Sequence, residues 1–141
     1  MRRGTPAGRS RYRHLVPELP EVETVRRGLE PVLVGRTIVE ADAHPSAKFS
    51  SAPAAIGATV GSVGRRGKYL LMGLDDGRQL VVHLGMTGQF RVSDDSTGPG
   101  GSHLDREPDP YVRAWWRLDD GRTLEFRDVR RFGRIAVVDG D

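Results

Sequence analysis

Pro17 and Glu18 stand side by side in a run that reads Pro17-Glu18-Leu19-Pro20-Glu21-Val22-Glu23-Thr24. A proline at a true N-terminus is a secondary amine, a nucleophile that can form an iminium with a carbon at the aldehyde level. A glutamate beside it can shuttle the protons of such a reaction. An internal proline has an amide nitrogen and none of this reactivity, so the chemistry depends on whether Pro17 is ever the first residue. An α-amino group titrates near ~8, which leaves an appreciable unprotonated fraction at neutral pH. Without a free amine, Pro17 is a helix-start proline, and Glu18, Glu21 and Glu23 are carboxylates suited to the positive end of a helix dipole.

The elements that would hold this pair are legible from periodicity. Val22, Val25, Leu29, Val32 and Leu33 fall close to a 3.6-residue repeat, which predicts an amphipathic helix over residues 20–34. Pro31 is expected to kink or interrupt it and Gly35 to end it. Beyond the helix the pattern becomes β, with short strands expected at 36–42, 58–66, 68–74, 79–84, 87–92, 112–118, 122–128 and 133–138. Asp75-Asp76-Gly77 and Asp119-Asp120-Gly121 are hairpin turns by composition. Residues 93–110, with Gly98-Pro99-Gly100-Gly101, read as a flexible loop. The fold expected is mainly β, a two-layer β-sandwich with an N-terminal helix packed on it.

With 141 residues the chain can build one core. No apolar stretch approaches the ~20 residues that span a bilayer, and the polar start lacks a secretory h-region. With no cysteine there is no disulfide and no thiolate zinc site, so a cytoplasmic location is expected. The net charge of +3 is unevenly placed. Five of the 22 basic residues (Arg2, Arg3, Arg9, Arg11 and Arg13) lie in residues 1–16, which hold no acid, leaving 17 to set against 19 acids. The overall charge is thus no evidence that the body binds a nucleic acid; such binding would rest on where a few cations are placed rather than on bulk charge.

Residues 1–16 read as a disordered leader. A transit peptide and a basic extension that grips DNA are both open. A misassigned start is preferred, because Val16 directly precedes Pro17 and valine is what a GTG start codon becomes when it is read as internal. Initiation there would insert a methionine whose removal leaves Pro17 free.

The run at 17–24 resembles the opening of formamidopyrimidine-DNA glycosylases, bacterial enzymes that remove oxidised purines and then nick the strand. The likeness continues through Arg26-Arg27-Gly28-Leu29-Glu30-Pro31, Gly64-Arg65-Arg66-Gly67-Lys68-Tyr69-Leu70, His83-Leu84-Gly85-Met86-Thr87-Gly88 and Arg127-Asp128-Val129-Arg130-Arg131-Phe132-Gly133, in the family's order. The resemblance implies that residues 17–141 are the N-terminal catalytic domain. The family continues into a helical domain and a four-cysteine zinc finger; neither is expected in this chain, nor any cofactor of its own. That leaves stable DNA binding and the later elimination step in question.

A glycosylase must flip the damaged base out of the stack, fill the void and cleave at C1′. By the resemblance, Pro17 is the nucleophile, Glu18 the acid/base and Glu21 a further glutamate of the site. Lys68 is the lysine that contacts a lesion-flanking phosphate and donates a proton in β-elimination. Met86, Arg130 and Phe132 are the void fillers: Met86 as a wedge, Phe132 inserted opposite, and Arg130 reading the orphaned base. As lone residues, Lys68 would be a solvated strand lysine and Met86 and Phe132 core filler, but the flanking glycines favour exposed turns. Tyr111 stands where the family has a DNA-contacting histidine; a tyrosine can still bond a phosphate. His103, nearby in the loop, is either a substitute for that contact or, as a loop histidine with no partner in view, simply solvated, and His83 is read as a structural residue of its strand. No metal site is expected.

The implied partner is damaged double-stranded DNA, bound by a monomer. The implied activity is that of a bifunctional glycosylase/AP lyase for 8-oxoguanine and formamidopyrimidines in base excision repair. Two rivals remain at this stage. Endonuclease VIII-type relatives, which act on oxidised pyrimidines, carry glycine where this chain has Leu19 and lack the Met/Arg/Phe trio. The other is a catalytically inactive, truncated DNA-binding remnant.

Overall fold

A computed structural model of the chain describes residues 19–94 and 109–140. The expected leader, Pro17, Glu18 and His103 lie outside the described residues, as does most of the expected loop at 93–110.

Helix α1 spans Leu19–Leu33 and buries Val22, Leu29 and Leu33 against the sheets. It runs past Pro31 to Leu33 instead of being interrupted there. The proline stands in the last turn with its ring exposed, so it removes a single terminal hydrogen bond while Leu33 remains anchored in the core. Gly35, at φ +86°, then turns the chain, and its N–H donates to the Val60 carbonyl at 2.8 Å.

Among the described residues eight strands follow, each within two residues of its expected bounds: β1 (Ile38–Ala43), β2 (Val60–Arg66), β3 (Tyr69–Leu74), β4 (Arg78–His83), β5 (Gly88–Ser93), β6 (Val112–Leu118), β7 (Thr123–Asp128) and β8 (Arg134–Asp139). They form two four-stranded antiparallel sheets, ordered β1-β6-β7-β5 and β2-β3-β4-β8. Alternation puts Leu70, Met72 and Leu74 of β3 and Leu80 and Val82 of β4 inside, facing Trp116, Leu118, Leu124 and Phe126 of the other sheet. Helix α1 covers β2 and touches β3. The result is the β-sandwich with an N-terminal helix that the pattern implied.

The segment between β1 and β2 has no strand or helix periodicity, yet it closes one side of the core. A short 3-10 helix at Ala52–Ala55 buries Ala52 and Ala55, and the Ala52 carbonyl accepts the indole N–H of buried Trp116 at 3.1 Å. Phe49, with no solvent exposure, lies 6.3 Å from the Phe126 ring. Removing this ring leaves a cavity beside Phe126. Phe49→Ala is therefore expected to lower the stability by about 3–5 kcal/mol in urea denaturation; a loss below about 1 kcal/mol would show that this segment is not part of the core.

Candidate nucleic-acid interface

Strand register brings four connections to one end of the sandwich. Arg66 pairs with Tyr69, Tyr69 with His83 and His83 with Arg134, so the β2–β3 turn, the β4–β5 turn and the start of β8 share an end of one sheet. In the other sheet, Gly88 pairs with Asp128, and the Asp128 N–H donates to the Tyr111 carbonyl at 2.9 Å. Lys68, Met86, Tyr111, Arg130 and Phe132 are thereby collected from four places in the sequence. Arg66, Arg131 and Arg134, all exposed, add positive charge to this end.

The helix begins at the same end. Glu23, one turn into α1, accepts from Arg65 at 3.1 Å, from Arg26 at 2.8 Å and from Arg27 at 3.1 Å. Arg26 reaches on to the Val63 carbonyl, and Arg65 to the Gly67 carbonyl at 3.1 Å beside Lys68. These bonds tie the first turns of the helix to the turn that carries Lys68. Hydrogen bonds from Arg26, then Arg65 and Arg27, hold the Glu23 carboxyl down at about 2, against an ordinary value of 4.5. Glu21 is half-buried in the same first turn.

Met86 and Phe132 are both well exposed, at 38% and 48%, which is an unusual placement for a methionine and a phenylalanine in a domain with a closed core. Two loops present them, residues 84–88 and 128–133, and the loops interlock. Gly85 has φ +62°, and a Cβ there would lie 2.7 Å from the Gly133 nitrogen and 2.7 Å from the Phe132 carbonyl carbon. A Cβ on Gly133 would in turn meet the His83 carbonyl at 2.7 Å. The glycines of both motifs are thus needed because the two backbones touch.

Asp128 holds the loops together from beneath. Its carboxylate is fully buried and accepts the Thr87 hydroxyl at 2.6 Å, the Arg131 N–H at 3.2 Å and the Gly133 N–H at 2.8 Å. The Thr87 oxygen accepts the Arg130 N–H at 3.0 Å. Arg113, also buried, donates from Nε to the Asp128 carbonyl at 2.8 Å. Arg131 adopts φ +59°, and its carbonyl accepts the Lys48 ammonium at 2.7 Å. This turn aims the neighbours on either side outward together, with the Arg130 guanidinium 5.1 Å from the centre of the Phe132 ring.

The remaining residues take their places around this unit. Lys68 is half-buried, next to the Tyr69–His83 ring pair at 4.7 Å. His83 Nδ1 accepts the Gly85 N–H at 3.0 Å, which fits the structural role read for it. Burial first, then the charges of Lys68 and Arg134, push its pKa down and keep it a neutral acceptor. Tyr111 is exposed on the same rim, its ring 5.2 Å from the Arg127 guanidinium and 5.9 Å from that of Arg113. Among the described residues, no three His, Cys, Asp or Glu side chains are placed to hold a metal ion.

Residues 16–135 match the model of the formamidopyrimidine-DNA glycosylase N-terminal domain. The chain belongs to that family. It is 44% identical over 131 residues to the formamidopyrimidine-DNA glycosylase of Bradyrhizobium diazoefficiens, a match covering 87% of this chain and 45% of that protein. It is likewise 44% identical to the Thermus thermophilus protein of the same name, over 87% of this chain and 40% of that one. The crystal structure of Thermus thermophilus MutM (Fpg) superposes with a TM-score of 0.71 over 88% of this chain and 41% of that chain. The Lactococcus lactis Fpg complex with FAPY-dG-containing DNA, 33% identical, also gives 0.71, over 86% of this chain and 44% of that one. The chain thus spans less than half the length of these relatives.

Thr87, Asp128, Arg113 and Lys48 went unnoticed in the sequence. An aspartate or a threonine inside a motif gives no sign that it faces inward, and Lys48 lies 83 residues from the carbonyl it holds.

Two expectations follow from this family member's geometry. Because the Glu23 pKa is lowered on folding, its contribution to stability is complete above about pH 4.5 and is lost as the pH falls through about 2. Thermal melts of Glu23→Gln should therefore fall below the wild type at pH 7 and converge with it towards pH 2; a constant gap would contradict the tether. Gly85→Ala, forcing a Cβ into the Gly133 backbone, should cost several degrees in Tm, whereas an unchanged Tm would show that the loops do not interlock.

Proposed function

We propose that this chain is the catalytic, lesion-recognising part of a bifunctional DNA glycosylase/AP lyase of base excision repair, acting on oxidised purines in double-stranded DNA. The observation that carries the reading is the joint presentation of Met86, Arg130 and Phe132, exposed on two interlocked loops at the cationic end of the sandwich. Family membership supports it, as does a relative of similar fold crystallised with FAPY-dG-containing DNA.

In the proposed reaction the flipped nucleotide lies between this end and the start of helix α1. Met86 and Phe132 occupy the space the base has left, and the Arg130 guanidinium donates to the edge of the unpaired base opposite. The Pro17 nitrogen, as a free amine, attacks C1′ with its lone pair. The C1′–base bond breaks and the departing base takes up the proton that the proline nitrogen sheds; Glu18 then gives its proton to the ring oxygen as the C1′–O4′ bond breaks and the nitrogen lone pair forms the iminium. Lys68 binds the neighbouring phosphate; the Glu18 carboxylate, now deprotonated, takes the C2′ proton, the C2′–H electrons form the C2′=C3′ bond, and the C3′–O bond breaks as Lys68 gives a proton to the departing phosphate. Glu21 joins Glu18 in the site, and Tyr111 contacts the backbone from the rim. The chain acts as a monomer and uses no cofactor in these steps.

Borohydride trapping on a duplex holding one 8-oxoguanine tests the reading. Protein bearing Pro17 as its first residue should form a covalent adduct, and Pro17→Gly should reduce that adduct at least tenfold; undiminished trapping would remove Pro17 as the nucleophile. Glu18→Gln should suppress base release while leaving binding to damaged DNA in place, and unchanged turnover would reject its role. No adduct from the Pro17-initiated protein would favour an inactive DNA-binding domain.

A further inference from the structure

The contacts beneath the two loops go beyond holding a shape. Met86 and Arg130 lie on different loops, whose ends the β4–β8 and β5–β7 ladders bring together without bonding the residues between them. One hydroxyl joins them directly. The Thr87 Oγ donates to Asp128 Oδ1 at 2.6 Å and accepts the Arg130 N–H at 3.0 Å, so the residue after Met86 is bonded both to the base of the second loop and to the backbone of the residue that faces the orphaned base. The donor is half-buried and the acceptor fully buried, where a bond to a charged group is at its strongest and water cannot easily replace it. Asp128 spends its other oxygen on Gly133 N–H, the residue after Phe132. The residue after Met86 is thus joined to the Arg130 backbone by one direct hydrogen bond, and the same hydroxyl is held from beneath by Asp128.

We infer that Thr87 is a positioning residue that, through Asp128, couples insertion of Met86 to readout of the opposite base by Arg130, so that the two act as one unit and not as independent contacts. This deepens the proposed function and rests on it. Coupling of this kind makes recognition stricter than two separate contacts would, since a mismatch at Arg130 also weakens the wedge.

A double-mutant cycle measures that coupling. The probe is a duplex with a tetrahydrofuran abasic analogue opposite cytosine, with an intact duplex as the reference, and binding is followed by fluorescence anisotropy. In the wild-type background, Met86→Ala and Arg130→Ala combined should weaken lesion-selective binding at least threefold less than the product of their separate effects, because losing either disables the unit. In a Thr87→Val background, which keeps the shape but removes the hydroxyl, the two effects should multiply to within about twofold. Thr87→Ser should restore the non-multiplicative behaviour. A merely structural role would lower Tm without changing this relation between the two substitutions. Should Thr87→Val fail to fold, Thr87→Ala serves as the second hydroxyl-free background.

Equal coupling in the hydroxyl-free and wild-type backgrounds, or independent effects in a wild type that does prefer the abasic duplex, would overturn the inference while leaving the proposed function standing. A wild type with no preference for the abasic duplex would overturn both.

Discussion

The carboxylate of Asp128, buried without solvent contact, is the constraint from which the arrangement of the recognition end follows. A buried anion is tolerated only when its oxygens are filled by donors. Here the donors are a hydroxyl from one loop and two backbone N–H groups from another, together with an arginine that bonds the same residue's carbonyl. The β4–β8 and β5–β7 ladders bring the ends of the two irregular segments together, and the requirement to satisfy one carboxylate fixes the segments themselves against each other. Arg131 in its left-handed conformation and the close approach of Gly85 to Gly133 are consequences of that closure. Backbone strain of this type persists only where its surroundings over-determine it.

A second tie works at the opposite edge of the same end. Glu23 gathers three arginines, two from its own helix and one from β2, and Arg65 carries the connection to the turn before Lys68. Half-buried pairs of this kind contribute only part of the global stability. Their effect is one of placement: the helix start and the β2–β3 turn are held side by side, which is where a nucleophile at the head of the helix and a lysine on a phosphate would have to meet. Catalytic groups on separate elements need such fastening, since an ångström of misplacement is expensive in rate.

Much of this was legible in advance. The strands were found because each alternates clearly and is bounded by glycine or aspartate turns, as at Asp75-Asp76-Gly77. Met86 and Phe132 were placed on the surface because glycines flank them. The reading failed where the signal was not local. Pro31 is expected to kink or interrupt a helix that in fact continues, since so close to the end the proline costs one N–H bond and the burial of Leu33 outweighs it. Phe49 and the 3-10 helix were missed because a non-periodic segment gives no sign of being core. Asp128, Thr87 and Lys48 were missed because their roles depend on partners 41 and 83 residues away. The motif residues that would perform catalysis, Pro17 and Glu18, were read from their types and the family's pattern alone.

Amide hydrogen exchange at Arg130, Arg131 and Gly133 tests the central claim most directly. These residues lie in an irregular, largely exposed connection where amides ordinarily exchange fast. If the buried carboxylate locks the two loops, their N–H groups should be protected nearly as well as those of β4 and β7. Exchange at the rate of an open surface loop, with the strands still protected, would contradict the account, because Met86, Arg130 and Phe132 would then share an end of the molecule without being held as a unit.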